Sequence, residues 1–159
     1  MDTVGTDLVL IVRDVMTPQV VTIEPAQNVK NAARRMTMFG ISSLLVLNKE
    51  GLKGILTEKD IISRVVCMGL DPSKVKVKEI MSEPVIVVGP EEPLEKAVEL
   101  MLTQKIKKLP VLENEEGNYR LVGILSLLDV AGIHPDLINS IKEMVEAEAE
   151  EPDAKFYVS

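Results

Sequence analysis

Two stretches of the chain read Gly-apolar-apolar-hydroxyl-x-x-Asp-apolar: GILTEKDI, Gly54 to Ile61, and GILSLLDV, Gly123 to Val130. Each sets a hydroxyl three residues before a carboxylate, Thr57 before Asp60 and Ser126 before Asp129. Two uses of that pairing follow from its chemistry. A Thr or Ser that ends a strand can cap the next helix, and an Asp in the helix's first turn complements the helix dipole. The same helix start also offers free backbone N–H groups, and with the hydroxyl these can hold a phosphate. A nearby carboxylate can accept both hydroxyls of a ribose, as in the dinucleotide-binding folds. The two uses are compatible in one site, and the second fits a nucleotide.

Other chemistry is sparse. The single histidine, His134, lies in the turn sequence GIHPD, and Cys67 is the single cysteine. Those counts leave no His/Cys metal cluster, no intramolecular disulfide and no trustworthy Cys-His dyad. No nucleophile with a base is evident, so the chain does not read as an enzyme. A net charge of −7, 3% aromatic residues and no Trp argue against nucleic acid as the partner. The methionines Met16 and Met81, and Met36 and Met101, fall at equivalent positions and predict core packing, as does Cys67 between Val66 and Met68. Arg34, Arg35 and Arg64 read as solvated or ion-paired helix residues. The start, MDTVGTDLVLIVRDV, lacks a signal-peptide pattern, and no run approaches the ~20 apolar residues of a membrane span. A cytoplasmic protein without membrane contact is expected.

The elements that must position these groups come in duplicate. VMTPQVVTIEP (15–25) recurs 65 positions later as IMSEPVIVVGP (80–90). MFGISSLLVLNKEG (38–51) recurs as TQKIKKLPVLENEEG (103–117), and the Gly-to-Asp stretch follows at an offset of 69. A longer loop from Glu113 to Arg120 absorbs the difference. Each unit predicts a strand, a helix, a hairpin and a second helix. The first helices carry Val29, Ala33 and Met36 in one unit and Leu94, Val98 and Met101 in the other. Gly40 stands where a C-terminal glycine belongs. The second helix of unit one spans Lys59 to about Gly69, with Ile61, Ile62, Val65 and Val66 as its apolar face. Its counterpart begins near Leu127 and breaks near Pro135.

Neither β-α-β-β-α unit can bury both its faces alone. Two units packed sheet to sheet, or helix to helix, can, so the fold class is α+β, a pseudo-twofold body with a cleft between related halves, a common kind of ligand site. The predicted divisions are an N-terminal segment at 1–11, unit one at 12–70, unit two at 71–134, and a C-terminal helix with an acidic tail at 135–159. Ile138, Ile141 and Val145 mark one face of that helix. The residues leave three placements open for it: on the two units, against a partner chain, or as a frayed end.

The stretches DVMTPQVVTIEP, EIMSEPVIVVGP and IKKLPVLE, with Gly-x-x-Thr/Ser-x-x-Asp twice in register, resemble a tandem pair of cystathionine-β-synthase (CBS) domains, also called a Bateman module. The resemblance covers roughly Val12 to His134. It implies that the two units pack through their sheets, and that the chain is a stand-alone regulatory module without catalysis that requires no cofactor. Its regulatory ligand would be AMP, ADP or ATP in the inter-repeat cleft, or alternatively S-adenosylmethionine or another adenosine derivative. A ligand-free dimerisation scaffold is the remaining alternative. The resemblance also implies a homodimer that transmits its ligand state to an unidentified regulated protein. Carried over by residue, site A would use Thr57 and Asp60 with Ser82, Val85, Ile86, Val87, Ile106, Lys107, Lys108, Leu109 and Pro110. Site B would use Ser126 and Asp129 with Thr17, Val20, Val21, Thr22, Ile41, Ser42 and Ser43. Lys107 and Lys108 stand where the other repeat has Ser42 and Ser43. Charge-assisted hydrogen bonds are the stronger ones, so site A is expected to take the more highly phosphorylated nucleotide. Site B would take AMP, an adenosine derivative with an uncharged tail, or nothing.

Overall fold

The computed structural model describes residues 9–83 and 85–148, and in it the repeat becomes two similar units. A helical turn α1 (Val12–Val15) leads to strand β1 (Thr22–Ile23), helix α2 (Val29–Phe39), and strands β2 (Ser43–Asn48) and β3 (Gly51–Thr57). Helix α3 (Glu58–Ile61) then continues as a π-helical turn over Ile62–Val66. The second unit follows the same order with α4 (Val77–Ile80), α5 (Leu94–Gln104), β4 (Lys108–Glu115), β5 (Asn118–Ser126) and α6 (Leu127–Ile133). Helix α7 (Pro135–Glu148) comes last, after a break at His134.

Strand β1 runs parallel to β2, and β2 runs antiparallel to β3. In unit two β4 and β5 form an antiparallel pair, and Val88 alone of the predicted strand VIVV joins it, by a parallel bridge to Val111. The hairpins carry an irregularity at the same place, after Val46 and after Val111. The four extra residues of unit two do not form a loose loop. Strands β4 and β5 have 8 and 9 residues against 6 and 7 in β2 and β3, so each strand gains two. A tight turn at Glu116 and Gly117, both at positive φ, closes the longer hairpin.

Local signals set the long helices. The Asn28 side chain accepts the Asn31 N–H at 2.8 Å and caps α2. Gly40 ends it in the left-handed region, φ 65°. Lys105 holds the equivalent position after α5 at φ 58°, where a Cβ is strained. Lys105→Gly is therefore expected to stabilise the protein by about 0.5–1 kcal/mol, seen as a higher midpoint in urea unfolding. Ala32, rather than the predicted Ala33, joins Val29 and Met36 on the buried face of α2. Both alanines lie near that face, and the pitch of the helix favours the i+3 position. Ile62 and Val66 are exposed while Val65 is buried, because the π-helical turn rotates the second helix off the predicted 3.6-residue stripe. Cys67, predicted to be core, is exposed for the same reason.

The apolar residues form two cores, and each borrows from the other half of the chain. One core packs Ile23, Val29, Met36, Leu44, Val46 and Leu56 with Val75, Val77 and Ile80 from beyond the first repeat. The other packs Leu94, Val98, Met101, Leu109 and Leu125 with Val12 and Val15 from the start of the chain. The lead-in turns are thus exchanged between the units. Thr17 bridges to Ile124 in β5, and Ser82 bridges to Ile55 in β3. Arg13 extends the exchange by pairing with Glu91 at 2.9 Å and Glu113 at 3.1 Å, bonds that raise its pKa above the ordinary arginine value, Glu91 first. Helix α7 packs on α5 and α6, with Ile141 buried and Leu137, Ile138 and Val145 against the second core. Of the three placements open to this helix, the structure takes the one on the module.

Candidate functional site: the cleft between the repeats

The two hydroxyl-carboxylate pairs fold alike and end differently. Thr57 Oγ1 accepts the Asp60 N–H at 3.2 Å, and Asp60 Oδ2 accepts the Thr57 N–H at 2.9 Å. This reciprocal capping box satisfies two otherwise orphaned donors at the start of α3. Asp60 is only 8% exposed, and Ser82 Oγ donates a long bond, 3.5 Å, to its other oxygen. Ser126 Oγ accepts the N–H groups of Leu128 and Asp129 and caps α6. Asp129 is exposed, and the Thr17 hydroxyl donates to its Oδ2 at 3.4 Å. Asp60 is thus committed to its own helix, whereas Asp129 keeps acceptor capacity for something else.

Asp129 faces a cavity of about 1010 Å³. Its wall carries Thr17, Val20, Val21, Ile41, Ser42, Ser43, Ser126 and Asp129, which is every residue assigned to site B except Thr22. Thr22 pairs with Leu45 in the sheet, and its carbonyl accepts a hydrogen bond from Arg35. Lys107 and Lys108, expected in site A, stand on this same wall. The reason is register. Lys108 is the ladder partner of Ser126 in the β4–β5 hairpin, and the Lys107 carbonyl accepts the Leu127 N–H. The lysines are therefore tethered beside the hydroxyl of their own repeat. Lys108 Nζ reaches across to donate to Ser43 Oγ at 3.2 Å and Ser42 Oγ at 3.4 Å.

The remaining site A residues are more dispersed. Thr57, Asp60 and Ser82 meet through the bonds above. Leu109 and Pro110 are buried in β4, with Leu109 pointing into the second core. Ile86 and Ile106 pack against that core, Val85 is half-buried and Val87 is exposed. The wall also carries residues that the sequence reading assigned to neither site, among them Thr37 from the end of α2, Glu58 beside Thr57, and Ile138 from α7. Glu58 had a signal in its place next to a singled-out hydroxyl, and Ile138 in the apolar face of its helix, which did not say what that face meets. Arg34 is exposed, whereas Arg35 and Arg64 donate to the Thr22 and Ile80 carbonyls and so act as braces. Among the described residues no cluster of three or more His, Cys, Asp or Glu is placed to hold a metal. No described helix is long and apolar enough to cross a membrane.

Two β-α-β-β-α repeats with exchanged lead-ins and a cleft between them define a tandem-repeat α+β module. The family model described as CBS domain matches residues 12–67 and 77–134, and the chain belongs to that family. A tandem CBS pair is a regulatory module type. The chain is 36% identical over 120 residues to the CBS domain-containing protein YhcV of Bacillus subtilis, a match covering 76% of this chain and 82% of that one. It is 33% identical over 141 residues to the uncharacterized protein MK0525 of Methanopyrus kandleri, covering 88% and 70%. Among solved structures it resembles the hexameric CBS-CP12 protein from bloom-forming cyanobacteria at TM-score 0.67 and 31% identity, covering 89% and 76%. It also shares the fold of the CBS domain pair of protein MJ0100, solved with 5′-methylthioadenosine and S-adenosyl-L-methionine, at TM-score 0.69 and 23% identity, covering 80% and 98%.

Proposed function

We propose that the protein is a regulatory CBS pair that binds one adenine nucleotide per chain, AMP, ADP or ATP, in the cavity faced by Asp129. The observation carrying this reading is the convergence of three chemistries on one wall. Val20, Val21 and Ile41 offer an apolar slot for a base. Ser126 and the uncommitted Asp129 carboxylate suit the hydroxyls of a ribose. Lys107 and Lys108 offer cations to phosphates, to which charge-assisted bonds are the strong ones. The cavity is also large enough for such a ligand, pockets for small molecules running to roughly 1,000 Å³.

The regulatory step follows from who builds the wall. Both repeats and α7 contribute to it, so a ligand that prefers one relative placement of these parts shifts the population toward that placement. A partner protein that contacts both halves reads the shift.

Titration calorimetry with AMP, ADP, ATP and S-adenosylmethionine tests the reading. A stoichiometry of one per chain, with affinity rising with phosphate count, is the expected result. Lys107→Ala with Lys108→Ala is expected to weaken ATP about tenfold, the loss of roughly 1.4 kcal/mol of phosphate contact, and AMP much less. S-adenosylmethionine as the tightest ligand would favour the adenosine-derivative reading, for which the complex of MJ0100 is the supporting observation. No binding by any of the four would favour the ligand-free scaffold.

A further inference from the structure

Helix α7 belongs to neither repeat. The CBS match ends at residue 134, and α7 (Pro135–Glu148) begins at the next residue. Unit one has no counterpart, because after its π-helical segment the chain passes through turns to α4. Yet α7 supplies Ile138 to the cavity wall, where it stands with Leu128, Asp129 and Ala131 of α6. An apolar side chain from outside the repeats therefore shares the wall with the uncommitted carboxylate.

The attachment of α7 is narrow. Ile141 is its buried residue, and Leu137, Ile138 and Val145 are half-buried against the second core. Every other residue of the helix is exposed. Segments with few buried apolar contacts open at low free energy. The joint to α6 is a single residue, His134, at φ −143° and ψ 69°, outside the helical region. Proline disfavours helical backbone at the residue before it, so Pro135 keeps α6 and α7 from fusing into one rigid rod. Asp129 lies in the first turn of α6 and the joint lies at its end, so one short helix connects them.

We propose that α7 is a lid over this cavity whose docking and ligand binding are coupled, with Ile138 as its contact to the ligand. The inference rests on the nucleotide site proposed above. With α7 docked, Ile138 completes the wall. With α7 released about the His134 joint, the wall loses that side chain and the cavity opens further to water. A ligand that touches Ile138 binds the docked state better and shifts the population toward it. Coupling is reciprocal, so whatever loosens α7 weakens the ligand. The position of α7 then reports occupancy to a partner, through a helix that the repeats do not supply.

Amide hydrogen exchange and titration calorimetry on the full chain, with ATP and AMP as probes, test this. Saturating ATP is expected to slow exchange across residues 139–148 about tenfold. Ile138→Ala removes the contact and is expected to weaken ATP and AMP alike, about tenfold, the usual effect of trimming an apolar group in a pocket. Val145→Ser lies off the wall and loosens only the docking. If it lowers the docked fraction to about a third, apparent affinity falls about threefold. Met144→Ser, on the exposed side of α7, is the control and is expected to change neither readout. Thermal melts of each variant separate a loosened helix from a lost fold, and the exchange measurement on the wild type needs no variant. Nucleotide binding that leaves α7 exchange unchanged overturns the lid while the site stands, even if Ile138→Ala weakens the ligand, because the wall is then static. Absence of binding by the wild type overturns the site and the lid together.

Discussion

Replacing Asp129 by Ala is expected to lower nucleotide affinity about 100-fold while leaving the melting temperature nearly unchanged. The carboxylate is exposed, and α6, in whose first turn it lies, is capped by Ser126 rather than by Asp129 itself. Surface substitutions of that kind stay within about 0.5 kcal/mol of stability. The ligand loses more. Hydrogen bonds to a charged group contribute about 1.5–3 kcal/mol each, and two ribose hydroxyls losing a shared carboxylate account for roughly 3 kcal/mol, or about 100-fold. Asp60→Ala is expected to do the reverse. It removes the acceptor of the Thr57 N–H and half of a capping box, at a cost of about 1–2 kcal/mol, and leaves the ligand's affinity nearly intact. Calorimetric titration paired with thermal melts measures both. If Asp60→Ala abolished binding and kept its melting temperature, the ligand would belong in site A and the division of roles between the two carboxylates would be wrong.

The second large effect concerns the glycines that open the two motifs. A Cβ on Gly54 would stand 2.8 Å from the Ser82 carbonyl oxygen and 2.8 Å from Met81 Sδ. A Cβ on Gly123 would meet the Thr17 carbonyl oxygen and Met16 Sδ at the same distances. The methionine tips can swing aside, but the carbonyls cannot. Ile55 and Ser82 exchange backbone hydrogen bonds of 3.1 and 2.9 Å, and Ile124 and Thr17 exchange bonds of 3.0 and 2.9 Å. Any retreat from the methyl group breaks the pairing that ties one unit to the other. Overpacking costs about 1–3 kcal/mol, and each weakened backbone bond about 1 kcal/mol. Gly54→Ala and Gly123→Ala are thus each expected to cost about 3 kcal/mol, read from urea unfolding. The double variant loses about 6 kcal/mol of the 5–15 kcal/mol a domain has and is expected to be largely unfolded. Gly132→Ala is the control: its Cβ meets nothing within 4 Å, and it lies inside α6. Alanine there should be neutral or mildly stabilising. Tolerance of Gly54→Ala without loss of stability would mean that the exchanged strand contact contributes little.

These two predictions also account for the repeated motif. Its glycine admits the other repeat's backbone, its hydroxyl caps a helix, and its carboxylate either completes that cap or faces the cleft. On the proposed function, the capping and nucleotide uses that the residues left open are divided between the two copies: Asp60 closes a capping box, and Asp129 lines the cavity.

The sequence by itself determined the duplication, the order of elements within each repeat and the approximate helix limits. Those features are carried by local signals, namely self-similarity at offsets of 65 and 69, apolar periodicity, and caps such as Asn28 and Gly40. Only the tertiary structure decided that α1 and α4 pack into the opposite units, that Lys108 stands beside Ser126, that Asp60 is buried while Asp129 is not, and that Ile138 of α7 reaches the cavity. The physical reason is that these are non-local outcomes. Ladder register sets which side chain neighbours which, and a shift of one residue turns every side chain to the other face. The two motifs are alike within themselves, so what separates their fates lies in what the rest of the chain packs against each one.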